Sequence, residues 1–132
     1  MIQIALILLS LINQGMTFTA DDIIYMIGEQ PYISCKNQTT QGCYYCYDFA
    51  RDLKTVLNAA GTEAYIAYGS RNGGGHYWNV INLNGTWQQV DPQTPHKGII
   101  TGEYNVNQKA YHLISIDAPY EIKKNILKQV RP

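Results

Sequence analysis

The chain has 132 residues, 45% of them apolar, enough for one soluble core that needs no metal or disulfide framework to stand. Ten Lys and Arg balance ten Asp and Glu, which argues against nucleic acid as a partner, because phosphate binding rests on an excess of cations. Five of the basic residues (Lys109, Lys123, Lys124, Lys128, Arg131) crowd the C-terminal end, where one solvated helix face accounts for them.

In chain order, the first element is an apolar run from Ile2 to Ile12, too short to span a bilayer. No integral membrane segment is expected. Two readings of the run stand side by side, a buried helix over residues 2–13 and the hydrophobic part of a secretory signal. The second goes with a secreted or cell-envelope setting, which is favoured over the cytoplasm. Thr19, followed by Asp21 and Asp22, predicts a capped helix running to about Gly28. Pro31 to Gly42 reads as a loop. The spacing of Cys46, Ala50, Leu53, Leu57 and Ala60 is the stripe of an amphipathic helix ended by Gly61, with Cys46 in its first turn.

A strand is predicted over Glu63–Tyr68, then a flexible glycine-rich loop from Ser70 to Gly75. His76–Leu83, Asn84-Gly85 and Thr86–Asp91 form a hairpin, since Asn-Gly accepts the positive φ angles of a type I′ turn. A strand over Ala110–Ile116, a cap at Asp117, Pro119 at the first helical position and a helix carrying Ile122, Ile126 and Val130 complete a single domain over 1–132.

The hairpin carries chemical information. If it turns on Asn84 and Gly85, Leu83 pairs with Thr86 and Trp78 falls opposite Asp91. His76, Trp78 and Asp91 then project from the same face, with His76 and Asp91 diagonal neighbours. A nucleophilic thiol needs a low pKa, a base, and a group that orients the base. Cys46, His76 and Asp91 are the candidates. The backbone N–H of Cys46 and, less firmly, the side chain of Gln41 are candidate oxyanion donors. Taken singly, the three have plainer readings: a small core residue, a hydrogen-bonded strand histidine and a strand terminator. Their joint order favours catalysis.

These residues resemble a known family. Gly42–Ala50, the helix to Ala59-Ala60-Gly61 and the strand Glu63–Gly69 look like the nucleophile region of the transglutaminase-like cysteine enzymes, and Gly75-His76-Tyr77-Trp78 and Trp87–Asp91-Pro92 look like their His-x-Trp and Trp…Asp-Pro strands. The chain departs from the pattern at Thr62–Tyr65 and at Gln93. The resemblance covers residues 42–93 and implies an α+β fold of transglutaminase-like or papain-like type. In it an open or half-barrel antiparallel sheet packs against a core helix that carries the nucleophilic Cys at its N-terminus. It further implies acyl transfer from an amide through a thioester, with Cys46 as nucleophile, His76 as base and acid, and Asp91 as orienter. The partner would be a peptide or protein substrate. A cell-wall peptide is one candidate, because cell-wall isopeptidases of methanogens and their viruses share the same Cys…Gly-His-x-Trp…Asp layout.

No cofactor or metal is expected. Cys43-Tyr-Tyr-Cys46 has the spacing of redox and zinc motifs, but His96 and His112 lack ligand-like spacing to it, and a disulfide between Cys35 and Cys43 would leave Cys46 free. Hydrolysis is favoured over amine transfer, because a small domain has little chain with which to shield a thioester from water. A peptide- or glycan-binding module without activity, using the eleven tyrosines, is the competing class.

Overall fold

A computed structural model describes residues 3–34, 42–93 and 111–130. Gln41, Cys35 and His96 lie outside the described residues, as do Lys109 and Arg131. The order is α1 (Ile4–Asn13), α2 (Ala20–Gly28), α3 (Cys46–Ala59), β1 (Ala64–Arg71), β2 (Gly74–Leu83), β3 (Thr86–Val90), β4 (Tyr111–Ile116) and α4 (Tyr120–Val130). The class is α+β. A curled, antiparallel half-barrel sheet runs in the order β3-β2-β1-β4. Among the described residues no helix is long and apolar enough to cross a membrane.

Each helix follows from its local chemistry. In α1 the apolar run turns Ala5 and Leu8 into the core. Helix α2 begins where the Thr19 hydroxyl accepts from the Asp22 N–H at 3.1 Å, satisfying a donor the helix cannot reach itself. Helix α3 places Ala50, Leu53 and Leu57 fully inside, and Gly61 ends it at φ 91°, a left-handed conformation that glycine adopts without penalty.

The sheet has two buried faces. Ala64, Ile81 and Val90 meet α1, α2 and α3 on one, while Ala67, Trp78, Val80, Trp87 and Ile116 meet Ile126 and Val130 of α4 on the other. Period-two alternation assigns the faces. Both hairpin turns are tight. Asn84-Gly85 sits at φ 55° and 87° with Leu83 opposite Thr86, as the sequence predicts.

Two expectations are corrected. Ser70–Gly75 is not a flexible loop: β1 continues to Arg71 and β2 begins at Gly74, joined through Asn72-Gly73 at φ 53° and 83°. The same Asn-Gly chemistry that made the second hairpin makes the first. Asp117 does not cap the last helix, because its Oδ1 accepts from the Ile66 N–H at 2.6 Å and its Oδ2 pairs with Lys54 Nζ at 2.8 Å. The side chain ties β4 to β1 and α3 instead.

Strand β4 joins β1 with a one-residue shift between Tyr68 and Gly69. At this bulge the chains approach so closely that a Cβ on Gly69 would collide with the His112 carbonyl and the edge of the Trp78 ring. Gly69→Ala should therefore lower stability by about 3 kcal/mol, roughly 10 °C in melting temperature for a domain of this size. Thermal unfolding checks this, and a melting temperature equal to that of the wild type would contradict the close approach.

Candidate active site

Cys46 opens α3, where the first N–H groups of the helix lack intrahelical acceptors. The turn is set by Asp48, whose Oδ2 accepts from the Tyr45 N–H at 3.0 Å. Cys46 is a free, half-buried thiol, whereas Cys43 is held in a disulfide. The Cys-x-x-Cys spacing is therefore not a dithiol.

His76 and Asp91 meet as the hairpin register requires. Imidazole Nε2 lies 2.8 Å from Asp91 Oδ2, with the His76 and Asp91 side chains 6% and 1% exposed. The thiol of Cys46 interacts with the same ring. With Nε2 committed to the carboxylate, Nδ1 is the nitrogen left for sulfur. Trp78 stacks beside the ring at 6.1 Å between centroids and is itself fixed by donating Nε1–H to Gln89 Oε1 at 2.9 Å.

How the thiol reaches the ring is a matter of sheet edge. Helix α3 packs on one face of the sheet, and His76 projects from the other. They meet because β3 ends at Val90, opposite Asn79, while β2 runs on to Gly74. Counting from the Leu83–Thr86 pair that flanks the turn, Ile81, Asn79 and Tyr77 direct their N–H groups toward the β3 side. At Tyr77 no strand remains there, and its N–H acts instead on Cys46, lowering the thiol's pKa. The Tyr47 N–H acts in the same sense.

The electrostatics follow. Burial works to raise the Cys46 pKa, but the His76 hydrogen bond, the Tyr77 and Tyr47 N–H groups and the imidazolium charge outweigh it, and the thiol is held below its ordinary value. Burial likewise opposes a charged His76. Its bonds to Asp91 and Cys46 and the Asp91 charge prevail over burial and over the opposing Arg71 charge, so its pKa is raised. The Asp91 carboxyl is lowered against its own burial, chiefly by His76 and also by Tyr111 and the Gln93 N–H. All three directions favour a thiolate–imidazolium pair steadied by a carboxylate.

Two members of the cluster escape the sequence reading. Arg71 Nη1 lies 2.8 Å, and Tyr111 Oη 2.6 Å, from the Asp91 Oδ2 that also takes His76. The signal for Arg71 was present in Asn72-Gly73, which extends β1 to include it. Nothing local marks Tyr111. Tyr47, the residue after Cys46, lines an open cleft of about 260 Å³ together with Tyr77, Tyr68, Ile66 and, from the β4 side, Ser115, Ile116 and Asp117, and the rings of Tyr47 and Tyr77 meet edge-to-face at 5.1 Å.

Compared with protein-family models, with curated proteins and with solved structures, the chain matches none.

Proposed function

We propose that the protein is a cysteine-dependent enzyme of transglutaminase-like type that opens an amide or isopeptide bond in a peptide substrate through a thioester on Cys46. The observation that carries the reading is His76 held by Asp91 at 2.8 Å with Cys46 acting on the same ring. The half-buried, free Cys46, the cleft lined by its neighbour Tyr47 and the α+β half-barrel support it.

In the proposed reaction the Cys46 thiolate attacks the carbonyl carbon and a C–S bond forms. The oxyanion is stabilised at the start of α3, where the Cys46 N–H is the available donor. His76 passes its Nδ1 proton to the departing nitrogen as the C–N bond breaks and the amine leaves. It next takes a proton from water, whose oxygen attacks the thioester. The C–S bond then breaks, the acid is released, and the thiolate faces an imidazolium again. Asp91 keeps Nε2 protonated and the ring in plane throughout. Hydrolysis is favoured over transfer to an amine because a small domain has little chain with which to shield a thioester from water.

Labelling with a peptide carrying an electrophilic carbonyl mimic is expected to modify Cys46, and Cys46→Ala is expected to lose both labelling and amine release with the fold retained. Turnover that survives Cys46→Ala overturns the nucleophile. An inert, unlabelled Cys46 in a protein that still binds peptide would instead identify a binding module.

A further inference from the structure

Asp91 is served by more donors than an orienting carboxylate requires. Its Oδ2 takes His76, Arg71 and Tyr111, and its Oδ1 takes the Gln93 N–H at 2.9 Å. Arg71 comes from the last position of β1. Tyr111 stands opposite it only because of the bulge, since continuing the Tyr68–Ser115 register would bring His112 there. The fold thus spends a tight turn and a bulge on bringing a guanidinium and a phenol to this one oxygen.

Charge gives the arrangement a purpose. Thiolate, imidazolium, carboxylate and guanidinium alternate in sign and sum to zero. Without Arg71 the cluster would carry one net negative charge in a poorly solvated place, and every proton in it would be harder to remove. Among the described residues the titratable groups around His76 are Cys46 from α3, Asp91 at the end of β3, Arg71 from β1 and, one contact further out, Tyr111 from β4.

We propose that Arg71 and Tyr111 are positioning residues for the Cys46–His76 pair, locking Asp91 in the orientation that holds the imidazole and balancing its charge from two other strands. The inference rests on the thiol–imidazole reading above and is separable from it by experiment. The Arg71 charge acts to lower the His76 pKa, in the sense this balance requires.

The test is the pH profile of Cys46 alkylation by iodoacetamide in the full chain, for wild type, Arg71→Gln, Arg71→Lys and Tyr111→Phe. Arg71→Gln is expected to move the whole profile to higher pH by about half a unit to one unit, so that alkylation on the acid limb slows roughly threefold to tenfold. Arg71→Lys, which keeps the charge, should return most of the shift. Tyr111→Phe, which keeps the ring against Trp78, should shift the profile the same way by less, and it carries the test if Arg71→Gln does not fold. Profiles that superimpose on wild type overturn the inference. So does an equal loss in Arg71→Gln and Arg71→Lys, which would mark simple bracing. A wild-type Cys46 that titrates as an ordinary thiol, unaffected by His76→Ala, sinks the site reading itself. A depressed, His76-dependent profile that both Arg71→Gln and Tyr111→Phe leave in place sinks only the positioning role.

Discussion

Replacing His76 with alanine is expected to slow alkylation of Cys46 at pH 6 by about tenfold to a hundredfold. In the folded protein His76 and the Tyr77 and Tyr47 N–H groups all lower the Cys46 pKa against its burial, and the ring supplies the only cation among those causes. Without the imidazole the thiol returns toward the ordinary range, near 8.5, where only about 0.3% is thiolate at pH 6. The more basic thiolate that remains is intrinsically more nucleophilic, which offsets part of the loss. The effect should fade as pH approaches 9, where an ordinary thiol ionises unaided. Rates followed by mass spectrometry, residue by residue, provide the check. Equal rates in the two proteins at pH 6 would mean that the imidazole does not hold the sulfur's charge.

Asp91→Ala should be the most destabilising change in the site, costing about 3–5 kcal/mol near pH 5, because Arg71 and His76 lose their shared buried acceptor and Tyr111 loses its own. The sign of the pH dependence is set by two opposite shifts. The Asp91 pKa is lowered on folding, so its contribution is complete above about pH 4 and is lost as pH falls through the folded value. The His76 pKa is raised, so its contribution is complete below about pH 6.5 and is lost as pH rises through the folded value. The stability gap between wild type and Asp91→Ala should therefore be widest between about pH 4 and 6.5 and narrow on both sides. Denaturant unfolding at pH 3, 5 and 9 measures it. A gap that does not change with pH would separate Asp91 from both titrations.

The reactivity and stability experiments probe one cluster from its two ends. His76→Ala acts on the half-buried thiol and leaves Asp91 with Arg71 and Tyr111. Asp91→Ala empties the buried end, so it should also reduce Cys46 reactivity, through an imidazole with no partner to fix its tautomer.

What the amino-acid sequence determined by itself is whatever short-range stereochemistry dictates. Thr19 starts a helix, the Cys46–Ala60 stripe makes another, and Asn84-Gly85 imposes a two-residue turn. From that turn, period-two alternation puts His76, Trp78 and Asp91 on one face without reference to the rest of the chain. The Gln93 N–H bonds Asp91 Oδ1 two residues away, a main-chain contact that does not depend on the side chain at that position. Only the tertiary structure decided the remainder. Cys46 meets His76 across a sheet edge that exists because β3 stops one residue short of Asp91. Tyr111 reaches Asp91 because a bulge against Gly69 advances β4 by one residue, and Asp117 leaves its own helix to bond Ile66 and Lys54. Each of these depends on pairings between residues tens of positions apart, whose register is chosen by burying both faces of the sheet at once, and no local pattern encodes that choice.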